Sequence, residues 1–309
     1  MTRVLFAAAP ARWPQYQRPL GDAFAEAGVA VDLATDHPPE TVDYIVYAPN
    51  SGLDDFRPFV RAKAVLNLWA GVEDVAPNPT LRLPLARMVD TAMTEGMTEW
   101  VVGHTLRHHL GIDFYVSRRE PRWERRVPPI ARDRRVGVLG LGALGGAAAL
   151  ALAGLNFDVA GWSRRPKEVP GIRTLSGADG LEAVLVRSEI LVLLVPLTAE
   201  TENLLDARRL ALLPEGAVLL NPGRGALVDD AALIAALDAG RLDHATLDVF
   251  REEPLPAEHP FWSHPRVTVT PHVASETRPE SAARVIAENV RRGEAGLPLL
   301  HLVDRAAGY

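Results

Sequence analysis

The sequence of 309 residues contains no cysteine. That removes disulfides, thiolate metal sites and a cysteine nucleophile together. Lysine is almost as scarce, standing only at Lys63 and Lys167. Arginine carries the remaining basic charge, a bias of coding to which no function is given. The net charge is −6, so no basic surface recommends a nucleic-acid or polyanion partner. No run approaches the roughly 18 apolar residues of a membrane span. The opening Met1–Pro10 faintly resembles a secretion signal, but its apolar core is too short and Arg12 follows directly. A first strand over 4–8 explains it better. The chain is expected in the cytoplasm, without a membrane partner.

What is present is ordinary in bulk and specific in detail. Hydrophobic residues make up 48% and charged residues 23%, as in soluble globular proteins. The length suits two domains, each with its own core. The stretch 135–165 organises the rest. Val136–Leu139 is a short apolar run, as expected of a buried parallel strand. Gly140, Gly142 and Gly145 then match G-x-G-x-x-G, with Ala143 and Leu144 between the last two. Ala147–Leu155 favours helix, and Phe157–Trp162 reads as the next strand. Strand, glycine turn, helix and strand in this order turn a weak motif into a dinucleotide site. Gly140 permits the tight turn, Gly142 lets backbone approach a pyrophosphate, and Gly145 lets helix pack against strand. The helix N-terminus offers unpaired N–H groups and a positive dipole end to the phosphates.

The end of the second strand chooses the cofactor. An NAD site wants a carboxylate about 20 residues past the first glycine. That window holds Trp162, Ser163, Arg164 and Arg165 and no carboxylate. Arginine suits a 2′-phosphate, because guanidinium makes paired, charge-assisted hydrogen bonds, and Ser163 adds a hydroxyl. The expected cofactor is NADP(H) in preference to NAD(H).

Strands alternate with helical stretches before this motif as well. Strands are expected over Val4–Ala8, Val29–Leu33, Tyr44–Tyr47 and Ala64–Leu68, with a helix over Leu20–Ala27 closed by Gly28. Such alternation argues a parallel sheet with helices on both faces. The turn Trp69-Ala70-Gly71-Val72 follows a strand end, where ligands of these sheets sit, and its amides suit a carboxylate. A long helix is expected over Thr91–Leu110. It carries His104, His108 and His109, an i, i+4 pair among them, but no nearby carboxylate at metal-binding spacing, so no metal is expected. The segment 111–134 is rich in Arg and Pro, with Trp123 in its middle. It is too polar for a core and too long for a connector, and reads as an arm that wraps a second subunit.

Further strands are expected over Ile190–Val195, Ala217–Leu220, Ala245–Val249 and Val267–Thr270, with Asp229 capping a helix over Asp230–Ala239. Pro196 follows the first of them. Arg224, Glu253 and His272 each follow a strand end. Alone, each has an ordinary explanation: a surface charge, a solvated acid, a satisfied histidine. Together, beside a dinucleotide loop, they supply what reduction of a 2-oxo acid needs. Histidine donates a proton near neutral pH. A carboxylate holds its tautomer and stabilises its charged form. A guanidinium grips the substrate carboxylate and polarises the carbonyl.

With these residues in view, the chain resembles the D-isomer-specific 2-hydroxyacid dehydrogenase family, and within it the glyoxylate/hydroxypyruvate reductase A branch. The resemblance runs through Trp-Ala-Gly-Val (69–72), Gly-Leu-Gly-Ala-Leu-Gly (140–145), Trp-Ser-Arg (162–164) and Pro-Leu-Thr-Ala-Glu-Thr (196–201). It continues through Asn-Pro-Gly-Arg-Gly (221–225), 247–256, 266–274 and the closing Asp-Arg-Ala-Ala-Gly-Tyr (304–309). It covers essentially the whole chain.

The resemblance implies an α/β protein of two Rossmann-like, doubly wound parallel-sheet domains with the active site in a cleft between them. Residues 1–100 with 276–309 would form a discontinuous, flavodoxin-like substrate domain, and 101–275 the NAD(P)-binding domain. It implies that Arg224 binds substrate, Glu253 pairs with His272, and His272 is the acid/base. Asp248 would contact the nicotinamide carboxamide. Trp69, Ala70, Gly71 and Val72 would line the substrate site, with the Ala70–Val72 turn on the carboxylate. The substrate would be a small 2-oxo or 2-hydroxy acid, and the assembly a homodimer. One departure stands out: the family turn often reads Gly-Ala-Gly-Val-Asp, here Trp69-Ala-Gly-Val-Glu73, which leaves substrate size open. Phenylpyruvate or D-lactate enzymes of the same fold, and a dinucleotide-sensing protein without activity, are the alternatives.

Overall fold

The apolar runs become the strands of two sheets in the computed structural model, which describes residues 1–117, 120–121 and 123–308. Arg118, Arg119 and Arg122 of the 111–134 segment, and Tyr309 of the closing motif, lie outside the described residues. The chain divides into two units, Met1–Met93 with Thr277–Tyr309, and Thr94–Glu276.

The first unit holds β1 (Thr2–Ala7), α1 (Trp13–Glu26), β2 (Val31–Ala34), β3 (Tyr44–Tyr47), β4 (Ala64–Asn67) and β5 (Leu85–Ala86). The helix α2 (Thr91–Leu110) leads into the second unit, where α3 (Ile112–Val116), β6 (Arg135–Leu139), α4 (Ala143–Gly154), β7 (Asp158–Ser163) and β8 (Arg173–Ser176) follow. Next come α5 (Gly177–Arg187), β9 (Ile190–Leu193), α6 (Ala207–Leu210), β10 (Ala217–Asn221), α7 (Asp230–Asp238), β11 (Leu242–Leu247) and β12 (Val267–Val269). The chain then returns to the first unit with α8 (Pro279–Glu294).

Both sheets are parallel throughout. The first runs β2-β1-β3-β4-β5, the flavodoxin-like order, and the second β12-β11-β10-β9-β6-β7-β8, the doubly wound order. In the second, the order reverses between β6 and β9, the place where such sheets bind ligands. The continuous apolar strands follow from burial on both faces. Ile190 and Val192 join one core cluster with Val136, Val138 and Leu152, while Leu191 and Leu193 join the other with Leu139, Leu219 and Leu233.

Several boundaries differ from expectation, each for a physical reason. α1 starts at Trp13, not Leu20. Pro14 fits its first turn, and Pro19 lies inside it, tolerated because Tyr16, Leu20 and Phe24 bury one face. α4 starts at Ala143, so Gly145 and Gly146 sit within the helix. β8 and α5 were not among the expected elements; Gly180 sits close against β8, where a Cβ would come within 3.1 Å of Leu175 Cβ. β11 and β12 end at Leu247 and Val269, leaving Asp248 and Thr270 in loops. Asp229 caps α7 through the Ala232 N–H at 3.0 Å. Among the described residues no helix is long and apolar enough to cross a membrane.

Candidate active site

The glycine loop leaves β6 with Gly140 in left-handed backbone, φ +100°. A Cβ there would lie 2.4 Å from the Leu194 carbonyl oxygen, and one at Gly145 would lie 1.8 Å from the Gly140 oxygen. These two glycines are demanded by packing. Gly142 is not: a Cβ there would meet no protein atom within 4 Å. Gly142 is the N-cap of α4 and carries no side-chain cap. The amides that open α4, from Ala143, Leu144 and Gly145, therefore have no helical acceptor of their own. Open space over a bare helix start is a cradle that a phosphate fits.

Beyond β7, Ser163 Oγ donates to the Arg165 carbonyl at 2.7 Å, and Arg164 Nη1 pairs with Glu200 Oε2 at 2.8 Å. Arg165 is exposed. Trp162 is buried, its Nε1 donating to the Gly177 carbonyl at 2.8 Å, so this part of the motif is packing. Lys167 Nζ donates to the Leu141 carbonyl inside the glycine loop. Sequence reasoning passed over Lys167, because its contact with 141 depends on the fold alone. Pro196 opens the loop after β9, where Thr201 Oγ1 braces its carbonyl at 2.7 Å.

The three catalytic candidates come together at the carboxyl ends of β10, β11 and β12. Asn221 Nδ2 donates to the Arg224 carbonyl at 2.9 Å and Asn221 Oδ1 accepts from the Gly223 N–H at 3.1 Å, shaping the loop. A Cβ at Gly225 would lie 2.0 Å from the Phe250 carbonyl carbon, so glycine lets the Arg224 loop touch the loop that bears Glu253. His272 Nδ1 lies 2.7 Å from Glu253 Oε2, while Glu253 Oε1 accepts from the Phe250 N–H at 2.9 Å. A carboxylate only accepts, so Nδ1 carries a proton and Nε2 is the nitrogen left for chemistry. His272 has φ +53°, a conformation uncommon for a side-chain-bearing residue. It is held by its N–H, which donates to the Asp248 and Thr270 carbonyls at 2.8 and 3.0 Å.

Charge follows this geometry. The hydrogen bond to Glu253 raises the His272 pKa, against the opposing effects of burial and of the Arg224 charge. For Glu253, burial pushes upward, but the bonds from His272 and the Phe250 N–H and the positive charges of His272 and Arg224 outweigh it and hold the carboxyl below its usual range.

Asp248 is fully buried. Its Oδ1 accepts from Thr270 Oγ1 at 2.5 Å and the Val273 N–H at 3.0 Å, and its Oδ2 from the Ala274 N–H at 2.8 Å. The structure thus sets Asp248 to anchoring the loop that carries His272. In the first unit, Asn67 Nδ2 donates to the carbonyls of Trp69 and Gly71 at 2.9 and 2.8 Å, shaping the 69–72 turn. Trp69 is 37% exposed, and Val72 is buried in the core.

The other histidines do different work. His108 Nε2 bonds Thr246 Oγ1 at 2.9 Å and His244 Nε2 bonds Thr268 Oγ1 at 2.8 Å, their rings 5.0 Å apart. His104 packs on Trp100 and His109 on Phe157. Each imidazole goes to a separate neighbour.

Known proteins resemble this chain in sequence and fold. A family model described as D-isomer specific 2-hydroxyacid dehydrogenase, NAD binding domain, matches residues 102–274. The glyoxylate/hydroxypyruvate reductase A of Yersinia enterocolitica is 38% identical over 258 residues, covering 81% of this chain and 82% of that protein. A D-isomer specific 2-hydroxyacid dehydrogenase from Xanthobacter autotrophicus, solved with NADPH and MES, superposes with a TM-score of 0.93 at 42% identity, over 100% of this chain and 99% of that one. The NADPH-dependent glyoxylate/hydroxypyruvate reductase of Sinorhizobium meliloti, solved with NADP and sulfate, gives 0.88 at 36% identity over 100% and 99%.

Proposed function

The chain belongs to the D-isomer-specific 2-hydroxyacid dehydrogenase family, and from that premise we propose that it reduces glyoxylate and hydroxypyruvate to glycolate and D-glycerate with NADPH. The observation that carries the reading is the 2.7 Å pair of His272 and Glu253 beside Arg224, in the unit that bears the glycine loop. NADPH, when bound, supplies the hydride. Gly142 and the first amides of α4 would hold its pyrophosphate, and Arg164, Arg165, Ser163 and Lys167 its adenosine end. His272 delivers the proton from Nε2 to the forming alkoxide. Glu253 keeps the imidazole in the right tautomer and favours its charged form. Arg224 draws electron density from the reacting carbonyl and binds the carboxylate. In the other unit, the Ala70–Val72 turn offers backbone donors that suit a carboxylate.

On the same reading the protein is a homodimer. Val116, Trp123, Val127 and Ile130 are exposed along 111–134, with Trp123 at 95%, and such a run of apolar side chains suits burial against a second copy.

The test is nicotinamide oxidation with NADPH and with NADH against glyoxylate, hydroxypyruvate, pyruvate and phenylpyruvate. Fast NADPH turnover of the first two is expected. Preference for phenylpyruvate would move the substrate to a larger class. Cofactor binding without turnover across the panel would make the chain a sensor. Arg164→Ala should weaken NADPH far more than NADH; an equal effect on both would remove Arg164 from the 2′-phosphate.

A further inference from the structure

The turn after β4 is built on a buried amide. Asn67 is 1% exposed, and its Nδ2 is shared between the carbonyls of Trp69 and Gly71. Only an NH2 group can donate to both, so the orientation of the side chain is forced. Its Oδ1 is buried with no partner among the described residues. An acceptor left unpaired in this way costs stability, so the arrangement is kept for something other than packing.

Peptide planarity says what. In a trans peptide the N–H points opposite to the preceding carbonyl. With the Trp69 and Gly71 carbonyls drawn to Asn67, the N–H groups of Ala70 and Val72 face away from it. Among the described residues neither finds an acceptor. Two backbone donors without acceptors, both turned away from Asn67, suit an anion.

A cation stands on the neighbouring strand segment. β5 pairs with β4 in the register Leu66↔Ala86, so the next residues of the two strands are Asn67 and Arg87. The Met88 N–H donates to the Trp69 carbonyl at 3.0 Å, tying this segment to the turn. Arg87 is half-buried, and among the described residues its guanidinium has no acceptor. Burial alone pulls its pKa down, with no carboxylate to offset it. The backbone around Arg87 is fixed on its other side by the Arg87 N–H to His301 carbonyl bond at 3.0 Å.

We propose that Arg87 is the charged ligand of the substrate carboxylate in this unit, completing a site whose neutral donors, the Ala70 and Val72 amides, are aimed by Asn67. Arg87 touches the substrate, and Asn67 is a positioning residue acting through the turn. The proposal rests on the reductase reading for the identity of its ligand.

The experiment compares the full-length protein with Arg87→Ala, Arg87→Lys and Asn67→Ala at saturating NADPH. The probes are glyoxylate, its uncharged methyl ester and, by calorimetry, the inert carboxylate oxamate. Arg87→Ala should raise KM for glyoxylate on the order of 30-fold, the low end of the loss when one partner of a charge pair is removed. It should leave KM for the ester unchanged and abolish measurable oxamate binding, and Arg87→Lys should recover part of the loss. Asn67→Ala should raise glyoxylate KM roughly tenfold with little change in kcat. If Asn67→Ala fails to fold, the Arg87 variants still decide. Equal penalties for acid and ester, or oxamate binding unaffected by Arg87→Ala, would overturn the proposal. An unmodified protein that turns over none of the acids, yet binds oxamate through Arg87, would overturn the reductase reading alone.

Discussion

Two histidine neighbourhoods in the second unit use the same side chain for opposite ends. His272 is about half exposed and bonded to a carboxylate, which raises its pKa. His108 and His244 are more deeply enclosed and bonded to threonine hydroxyls. For His108, burial first, then the neighbouring His244 and Arg107, push the pKa down to about 3; burial likewise lowers His244, helped by Arg107. A carboxylate partner makes imidazole a proton reservoir, whereas a hydroxyl partner in a dry site keeps it neutral. Arg107 is itself neutralised by Asp113 at 2.8 Å, so the second cluster is a packed polar joint between α2 and the strands β11 and β12.

The sharpest way to break this contrast is His272→Ala. Turnover should fall about 10² to 10⁴-fold, the range for general acid catalysis, with NADPH affinity retained; steady-state rates beside a cofactor titration check it, and near-normal turnover would remove His272 from the chemistry. Glu253→Gln comes next. With His272 as the proposed proton donor, the rate should persist above the ordinary histidine pKa near 6.5 and fall only as pH passes the raised value. Without the carboxylate the fall should move to lower pH, costing roughly tenfold at a fixed pH above it for each unit of pKa lost. A pH–rate profile with an unmoved limb would mean that Glu253 does not set the histidine.

The smallest effect belongs to His108→Gln, in the other neighbourhood. Because the folded pKa of His108 is depressed, the unfolded chain takes up the proton first. Stability contributed by the neutral form is therefore present above pH near 6.5 and is lost as pH falls toward about 3. Gln can still bond Thr246 but cannot be protonated. The variant should match the parent Tm at neutral pH and lose less of it under acid. Turnover should be unchanged, and a rate loss comparable to His272→Ala would collapse the distinction between the two sites.

The glycine loop and the three catalytic candidates were legible in the sequence because each is a local signal at a strand end, and the structure brings His272 to 2.7 Å from Glu253. The sequence pattern began α1 at Leu20 although the helix starts at Trp13 with Pro19 inside it, and it did not include α5, whose stretch carries Gly177 and Gly180. Asp248 was legible only as a residue just past a strand end; that both its oxygens accept from the 270–274 loop, 22 to 26 residues away, depends on the fold.

Residue order alone determined the parallel α/β class, since alternating apolar strands and helices can bury themselves in few other ways. It also determined which residue types stand at the strand ends, where this fold places chemistry. Tertiary structure decided the partners. Glu253 meets His272 across 19 residues, Lys167 meets Leu141 across 26, and Arg87 comes beside Asn67 across a strand pairing. Those distances are set by sheet register and loop packing, which no local pattern encodes, and they alone separate a histidine paired with a carboxylate from a buried neutral one.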